Sequence, residues 1–362
     1  MKTSTLNRIF ICSGVVLLLA CSLFLLPTEA QQSTGEKFPQ IPKPFATFKN
    51  AKEFNAVQFG PGNTFSISQI PPEFQLSEFA MSANGGLLAM GWASGKIEIW
   101  DVNRKKKVSD FKSEVGAPGV LKFNAQATQL VVTGSGGKVA FLELPKGKKI
   151  RGFVIPLGKF KYDLQQIVLD PNGKWLAYAD EESSKVLDIT SENPRIIGDL
   201  QDAGSIAISQ DGSELWTVNR NELTGYNTST WQMIGHWPHL SSPVKASSTL
   251  VSTGISQDGI RTVAVPSEKG LIIYVEPDMK GTFGTSKQTI SVGFSPSARS
   301  YVNIASEITF LSAVGKVLCR KSYESRSGFS VSEDGHWLAL SLSNKVSVWR
   351  MEDLTHGCEA AQ

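Results

Sequence analysis

One turn recurs seven times along this chain, and that recurrence constrains the fold more than any other feature. It reads SANGG at 82–86, NAQAT at 124–128, DPNGK at 170–174, SQDGS at 209–213, SQDGI at 256–260, SPSAR at 295–299 and SEDGH at 332–336. The fourth column holds Gly85, Ala127, Gly173, Gly212, Gly259, Ala298 and Gly335, with neighbours 37 to 47 residues apart. Five glycines in that column point to a turn position with positive φ. Ala127 and Ala298 break the pattern, which predicts another turn type in those two units.

Each turn lies between two short apolar, alternating runs. VLKF, SIAI and FSV precede it; LLAMGW, WLAYAD and WLALSL follow. A third run begins 9 to 12 residues past the turn column, as in KIEIWDV at 96, KVAFLEL at 138 and KVSVWRM at 345. That constant offset is independent of the turns. A fourth, more polar run follows in most units: KKVSDF, KKIRGF, PRIIGDL, WQMIGHW and KVLCRKS. These are strand patterns; the runs are too short for helices and hold no 3.6-residue period. Four antiparallel strands in about 40 residues make one blade of a propeller. A blade cannot bury both faces alone, so blades stack radially and the ring must close. The expected fold is therefore all-β, a seven-bladed β-propeller. The last unit lacks a fourth strand, and TFSISQI (64–70) precedes the first unit without a blade of its own. The expectation is that Thr64 to Ile70 supplies the missing strand and closes the ring.

Residues 1–30 read as a secretory signal peptide: Lys2 and Arg8, an apolar run from Ile9 to Leu26, then PTEA before a cut after Ala30. Two other readings stay open, an uncleaved membrane anchor over 9–26 and a lipoprotein box ending at Cys21. Residues 31–50 carry three prolines among polar residues and read as a flexible linker, leaving 51–362 for the propeller. Cys12 and Cys21 leave with the signal. Cys319 and Cys358 then form a lone pair in an oxidising compartment, a disulfide candidate whose alternative is two free thiols.

IEIWDV, with Trp100 and Asp101, and VSVWRM, with Trp349, resemble the third strand of WD-repeat propellers. LDPNGKWLAYAD (169–180) and VSEDGHWLALSLS (331–343) resemble repeats of bacterial periplasmic propellers, including the Tol-system propeller. The chain departs from the WD pattern, since Gly-His stands in its proper place once, at Gly235-His236, and most blades lack the turn Asp. The resemblance implies a scaffold for protein partners; fold alone does not fix function.

Chemistry is sparse. The four histidines are His236, His239, His336 and His356; the HWPH spacing of the first two would suit a metal, but no acidic or Cys cluster accompanies them. Asp180, Glu181 and Glu182 read as a solvated turn. No Gly-x-Ser-x-Gly elbow or His-Glu-x-x-His helix occurs. Inner strands offer few ionisable groups; Lys122 and Asp170 are the exceptions. The eight Trp fall in different strands and read as packing residues rather than a cofactor stack. No cofactor and no metal are expected, and a net charge of +3 gives no argument for nucleic acid.

One basic feature stands out. Arg104, Lys105, Lys106 and Lys107 join the third and fourth runs of the first unit; Lys146, Lys148, Lys149 and Arg151 hold the same place in the second. Both are expected on one outer edge, where they would face an anionic partner or envelope surface; a solvated pair of hairpin turns is the alternative. The reading is an exported, monomeric, non-catalytic scaffold for protein partners. The competing reading is a propeller enzyme, lactonase-like or another small-molecule hydrolase, with its site at the central channel.

Overall fold

The computed structural model describes residues 39–49, 57–59, 65–67, 71–155, 166–170, 172–179, 184–200, 205–209, 211–219, 222–238, 252–255, 260–267, 270–275, 280–285, 291–296, 299–305, 307–323, 328–342 and 344–358. The segment expected to be an export signal lies outside the described residues. So do His239 and Asp180 to Glu182. Among the described residues, no helix is long and apolar enough to cross a membrane.

Six antiparallel sheets are each built from four consecutive strands. Blade 1 comprises Leu76–Met81, Leu87–Trp92, Lys96–Asp101 and Lys106–Lys112. Blade 2 comprises Val120–Phe123, Gln129–Gly134, Lys138–Glu143 and Lys148–Val154. Blade 3 comprises Gln166–Leu169, Trp175–Ala179, Ser184–Asp188 and Arg195–Asp199. Blade 4 comprises Ser205–Ile208, Glu214–Asn219, Glu222–Asn227 and Met233–Trp237. Blade 5 comprises Ser252–Ile255, Arg261–Ser267, Gly270–Val275 and Lys280–Thr285. Blade 6 comprises Ser291–Ser295, Ser300–Ile304, Glu307–Ser312 and Val317–Ser322. A further four-stranded sheet is composite: Phe329–Val331, Trp337–Leu342 and Lys345–Arg350 are completed by Ala46–Lys49 from the other end of the chain. Six blades are thus formed by consecutive strands where seven were expected; the seventh repeat unit supplies only three strands, to a sheet shared with the other end of the described chain.

The composite sheet corrects two expectations. The closing strand is Ala46–Lys49, which pairs antiparallel with Lys345–Arg350 through Ala46 opposite Val348 and Phe48 opposite Val346. Phe65–Ile67, inside the segment expected to close the ring, pairs instead with Val57–Phe59 in a separate two-stranded sheet. The physical reason is burial. Ala46 and Phe48 enter a core with Met81, Leu88, Trp92 and Val348, and the alternation of Ala46–Lys49 puts Thr47 and Lys49 in solvent. The segment expected to be a flexible linker therefore contains a packed strand. Upstream of it, the amide of Ser322 on blade 6 donates to the carbonyl of Pro39 at 3.0 Å.

The core sits between sheets rather than inside them. Each cluster of buried apolar side chains joins one sheet to the next. Ile99 and Leu130 join blades 1 and 2; Val131 and Tyr178 join blades 2 and 3; Ala177 and Leu215 join blades 3 and 4. Trp216 and Val263 join blades 4 and 5, Ile273 and Tyr301 blades 5 and 6, and Phe310 and Leu340 blade 6 and the composite sheet. The first strands follow the same cycle, and Phe329–Val331 packs on Leu76–Met81 of blade 1. Burying each such large side chain contributes about 1.5–3 kcal/mol.

The turn column behaves as one motif, with one correction. Gly85, Gly173, Gly212 and Gly335 have φ of 65, 69, 74 and 72°. Ala127, expected in another turn type, has φ of 54°, and its amide donates to the carbonyl of Asn124 at 2.9 Å as Gly85 donates to Ser82. An L-residue pays about 1–2 kcal/mol for that conformation. The turn tolerates it because Asn124 Oδ1 accepts from the amides of Thr128 and Gln129, both at 2.9 Å. In blade 6 the left-handed residue is Arg299, at φ 46°.

Candidate functional site

The first strands of blades 2 to 6 and of the composite sheet end around a cavity of about 290 Å³, lined among others by Lys122, Asp170, Ser209, Thr253, Phe294 and Glu333. This is one mouth of the central channel. The two inner-strand ionisable residues singled out in the sequence both line it, but they do different work. Lys122 Nζ lies 3.6 Å from Glu333 Oε1, with both side chains well exposed, a pair worth about 0–1 kcal/mol. Asp170 is buried and its Oδ2 accepts from the amide of Lys174 at 2.8 Å, so it serves the turn.

A hydroxyl nucleophile would need a base. Ser209 Oγ donates to Asp211 Oδ1 at 2.6 Å, and that bond, with the Ser213 contacts, holds the Asp211 carboxyl below its ordinary range. A carboxylate made less basic is poorly suited to take a proton. Ser209 Oγ also accepts from the amide of Glu214 at 2.9 Å, which marks it as a turn clasp; Ser332 holds the amide of Trp337 the same way at 3.0 Å. Among the described residues no three of His, Cys, Asp and Glu gather as a metal site. Thr253 Oγ1 donates to the carbonyl of Ile208 at 2.9 Å, stitching blades 4 and 5.

Sequence reasoning missed Glu78, on the first strand of blade 1. Burial pushes its carboxyl up to about 7, against a smaller opposing effect of the Phe79 amide, which donates to Oε1 at 2.9 Å. A register shift lies between Leu76 and Glu78. The charged residue inside LSEFAM was the available signal.

The basic hairpins are largely engaged with their own protein. Lys107 Nζ lies 2.6 Å from Asp110 and 3.6 Å from buried Glu98; the Lys107 hydrogen bond holds the Asp110 carboxyl low. Arg104 faces Asp101 at 3.8 Å. Lys105 Nζ sits 4.4 Å from the centre of the Phe45 ring. Lys149 Nζ pairs with Glu114 at 2.7 Å. Arg151 lies over Phe141 at 4.2 Å and donates to the carbonyl of Ile189. Lys106, Lys146 and Lys148 are exposed and have no ion-pair partner among the described residues. The blade 1 turn meets Phe45, beside the strand that completes the composite sheet, and the blade 2 turn at Gly147 packs on Phe111 of blade 1.

Cys319 and Cys358 are joined, with Cα atoms 5.2 Å apart. The bond ties the last strand of blade 6 to the chain just past the short helix Met351–Thr355. His236 is on the last strand of blade 4, where Nδ1 lies 3.0 Å from Thr224 Oγ1; this is a contact within one blade. Trp92 and Trp216 are fully buried between sheets, and Trp175 meets Trp231 edge-on at 5.0 Å.

No family model matches the chain. Over 125 residues, 34% of this chain, it is 24% identical to a periodic tryptophan protein 2 homolog of Dictyostelium discoideum, and the match spans only 13% of that protein's length. Among solved structures, the Cps50 (Swd1) beta-propeller domain of Myceliophteria thermophila superposes with a TM-score of 0.60 at 15% identity, covering 76% of this chain and 96% of that domain. At that identity the likeness is one of fold: this chain is a β-propeller.

Proposed function

We propose that this protein is an exported, non-catalytic scaffold that holds protein partners on its β-propeller. The observation that carries the reading is the state of the channel mouth. Its charged and hydroxyl side chains are spent on turns and on one another: Asp170 on the Lys174 amide, Ser209 on Asp211 and the Glu214 amide, Lys122 on Glu333. A hydrolase needs a nucleophile or metal left free to act. Export is supported by the Cys319–Cys358 bond, of a kind that persists in oxidising compartments, and by the apolar N-terminal run of the sequence. The resemblance to periplasmic Tol-type repeats agrees with that location. The protein is proposed to act as a monomer.

The basic hairpins are the proposed contact surface, led by Lys106, Lys146 and Lys148, which have no ion-pair partner among the described residues. The test compares capture of partners by the mature protein and two variants. Lys106→Gln with Lys148→Gln is expected to weaken capture, whereas Lys122→Met at the channel is expected to leave it unchanged. The opposite pattern would move function to the channel and favour the hydrolase reading.

A further inference from the structure

Two positions break the repeat with a charge, and their side chains meet. Two residues before the recurrent turn, six units carry Ala80, Val168, Ala207, Gly254, Gly293 and Ser330, and blade 2 carries Lys122. At the second residue of the turn, six units carry Ala83, Ala125, Pro171, Gln210, Gln257 and Pro296, and the composite sheet carries Glu333. The fold requires neither charge, since the other units form without one at either place. The turn at Glu333 also closes without it: Ser332 Oγ donates to Asp334 Oδ1 at 2.6 Å, and Asp334 accepts from the amide of His336 at 3.0 Å. Blade 2 and the composite sheet are the two neighbours of blade 1 in the ring. The Lys122 and Glu333 side chains thus reach past blade 1 to come within 3.6 Å, Nζ to Oε1. None of the residues lining the channel-mouth cavity comes from blade 1.

The cavity offers a ligand two kinds of contact. Its volume of about 290 Å³ stands at the lower end of the range of about 300–1,000 Å³ for ligand pockets, which is room for one small molecule. Ile208, Phe294, Phe329 and Val331 line it, and each keeps part of its surface uncovered. The Phe294 ring is held edge-on against Tyr301 at 5.0 Å. The polar side chains of Asn124, Asp170, Ser209, Thr253 and Ser332 are committed to backbone partners. Lys122 and Glu333 are engaged only by each other among the described residues, with 39% and 50% of their side chains exposed. So loose and wet a pair is screened by solvent and readily parted. What remains for recognition is an apolar wall and one adjacent positive and negative charge.

We propose that this mouth binds a free α-amino acid with an apolar side chain. The ligand carboxylate pairs with Lys122, its ammonium with Glu333, and its side chain lies against Phe294 and Phe329. An α-amino acid carries its two charges on one carbon, so their close spacing complements an ion pair 3.6 Å apart. Ligands with a single charge are disfavoured by repulsion: a lone carboxylate meets Glu333 and a lone amine meets Lys122. A neutral apolar molecule leaves the charge pair unanswered, whereas a zwitterion gains charge-assisted contacts at both ends. The site lies apart from the basic hairpins, and the inference goes beyond the scaffold reading. The ligand is held and released unchanged, because the hydroxyls around it serve the turns.

Isothermal titration calorimetry of the purified mature protein with L-phenylalanine and L-leucine tests the proposal. Saturable binding of one ligand per chain is expected. N-acetyl-L-phenylalanine and phenethylamine, each keeping one charge, are expected to bind about tenfold more weakly or worse, the cost of losing a contact to a charged group. Lys122→Met and Glu333→Gln are each expected to weaken L-phenylalanine by a similar factor. The exchange Lys122→Glu/Glu333→Lys is expected to recover binding, because it keeps the pair and reverses only the orientation of the ligand. Both side chains are exposed, so the thermal midpoint of every variant should match the parent, which separates loss of the site from loss of the fold. Absence of saturable binding of either amino acid would overturn the proposal. So would L-phenylalanine binding unchanged in both single variants, or either single-charge analogue binding as tightly as the amino acid. Lys106→Gln/Lys148→Gln should leave L-phenylalanine binding intact. If partner capture depends on the hairpins while neither amino acid binds, this inference falls and the scaffold reading stands.

Discussion

The indole N–H of Trp349 donates to the carbonyl of Pro42 at 2.9 Å, joining residues 307 positions apart. That bond brings the two ends of the chain together at the composite sheet. Beside it, Phe48 meets Trp100 at 5.4 Å and Phe45 meets Trp337 at 5.1 Å. The closing strand is short, so its hold depends on these side chains more than on its few ladder bonds.

Phe48→Ala is expected to destabilise the protein by about 3–5 kcal/mol, as for other buried Phe truncations, measured by denaturant unfolding. It should also promote aggregation, since the freed edge of Lys345–Arg350 can pair with other chains. Changes in Phe65–Ile67 should leave the composite sheet intact, because that strand pairs only with Val57–Phe59 among the described residues.

The turn column gives a graded series. Gly173 has open space around it, so Gly173→Ala should cost only its backbone strain, about 1–2 kcal/mol. Gly85→Ala should cost more, because the new methyl would collide with the Trp337 ring of the composite sheet. Ala127→Gly should gain less than about 1 kcal/mol, since relief at φ 54° is offset by a looser unfolded chain. Thermal unfolding of the three variants checks the order.

Glu78 predicts a pH dependence. Burial raises its folded value to about 7 from an ordinary 4.5, so the folded chain holds this proton more tightly than the unfolded one. Its contribution is then fully present below pH 4.5 and is lost as pH rises from there through about 7. The amount is at most about 3 kcal/mol. Glu78→Gln should flatten the stability profile across that window and be the more stable form at pH 8. A profile unchanged by the substitution would contradict the burial assigned to this side chain.

Reduction of Cys319–Cys358 should lower stability. The bond spans 39 residues, for which loop-closure entropy gives about 4 kcal/mol. Cys358→Ser should show the same loss and be insensitive to reductant, read as the denaturation midpoint with and without dithiothreitol.

The propeller was legible because its turn is written into local sequence: Ser209, Asp211 and Gly212 clasp their turn without help from elsewhere. Ala127 was misread because the Asn124 clasp, not the fourth residue alone, holds that turn. The closing strand was misplaced because TFSISQI alternates better than ATFK; only the distant cluster around Trp92 and Val348 selects Phe48. The basic hairpins looked like a free cationic edge because strand pairing and blade packing, which the sequence does not display, bring Glu98 to Lys107 and Glu114 to Lys149; Asp110, three residues along the same strand as Lys107, was in view. The one-residue slip between the third and fourth strands, found in each of blades 1 to 6, leaves no mark in sequence, since it is a property of the pairing.

That this ring binds rather than catalyses is tested most directly by elemental analysis of the purified mature protein, paired with turnover assays on lactone and ester substrates. Substoichiometric divalent metal and no turnover above buffer are expected. One tightly held metal ion per chain, with hydrolysis that Lys122→Met or Glu333→Gln abolishes, would contradict it.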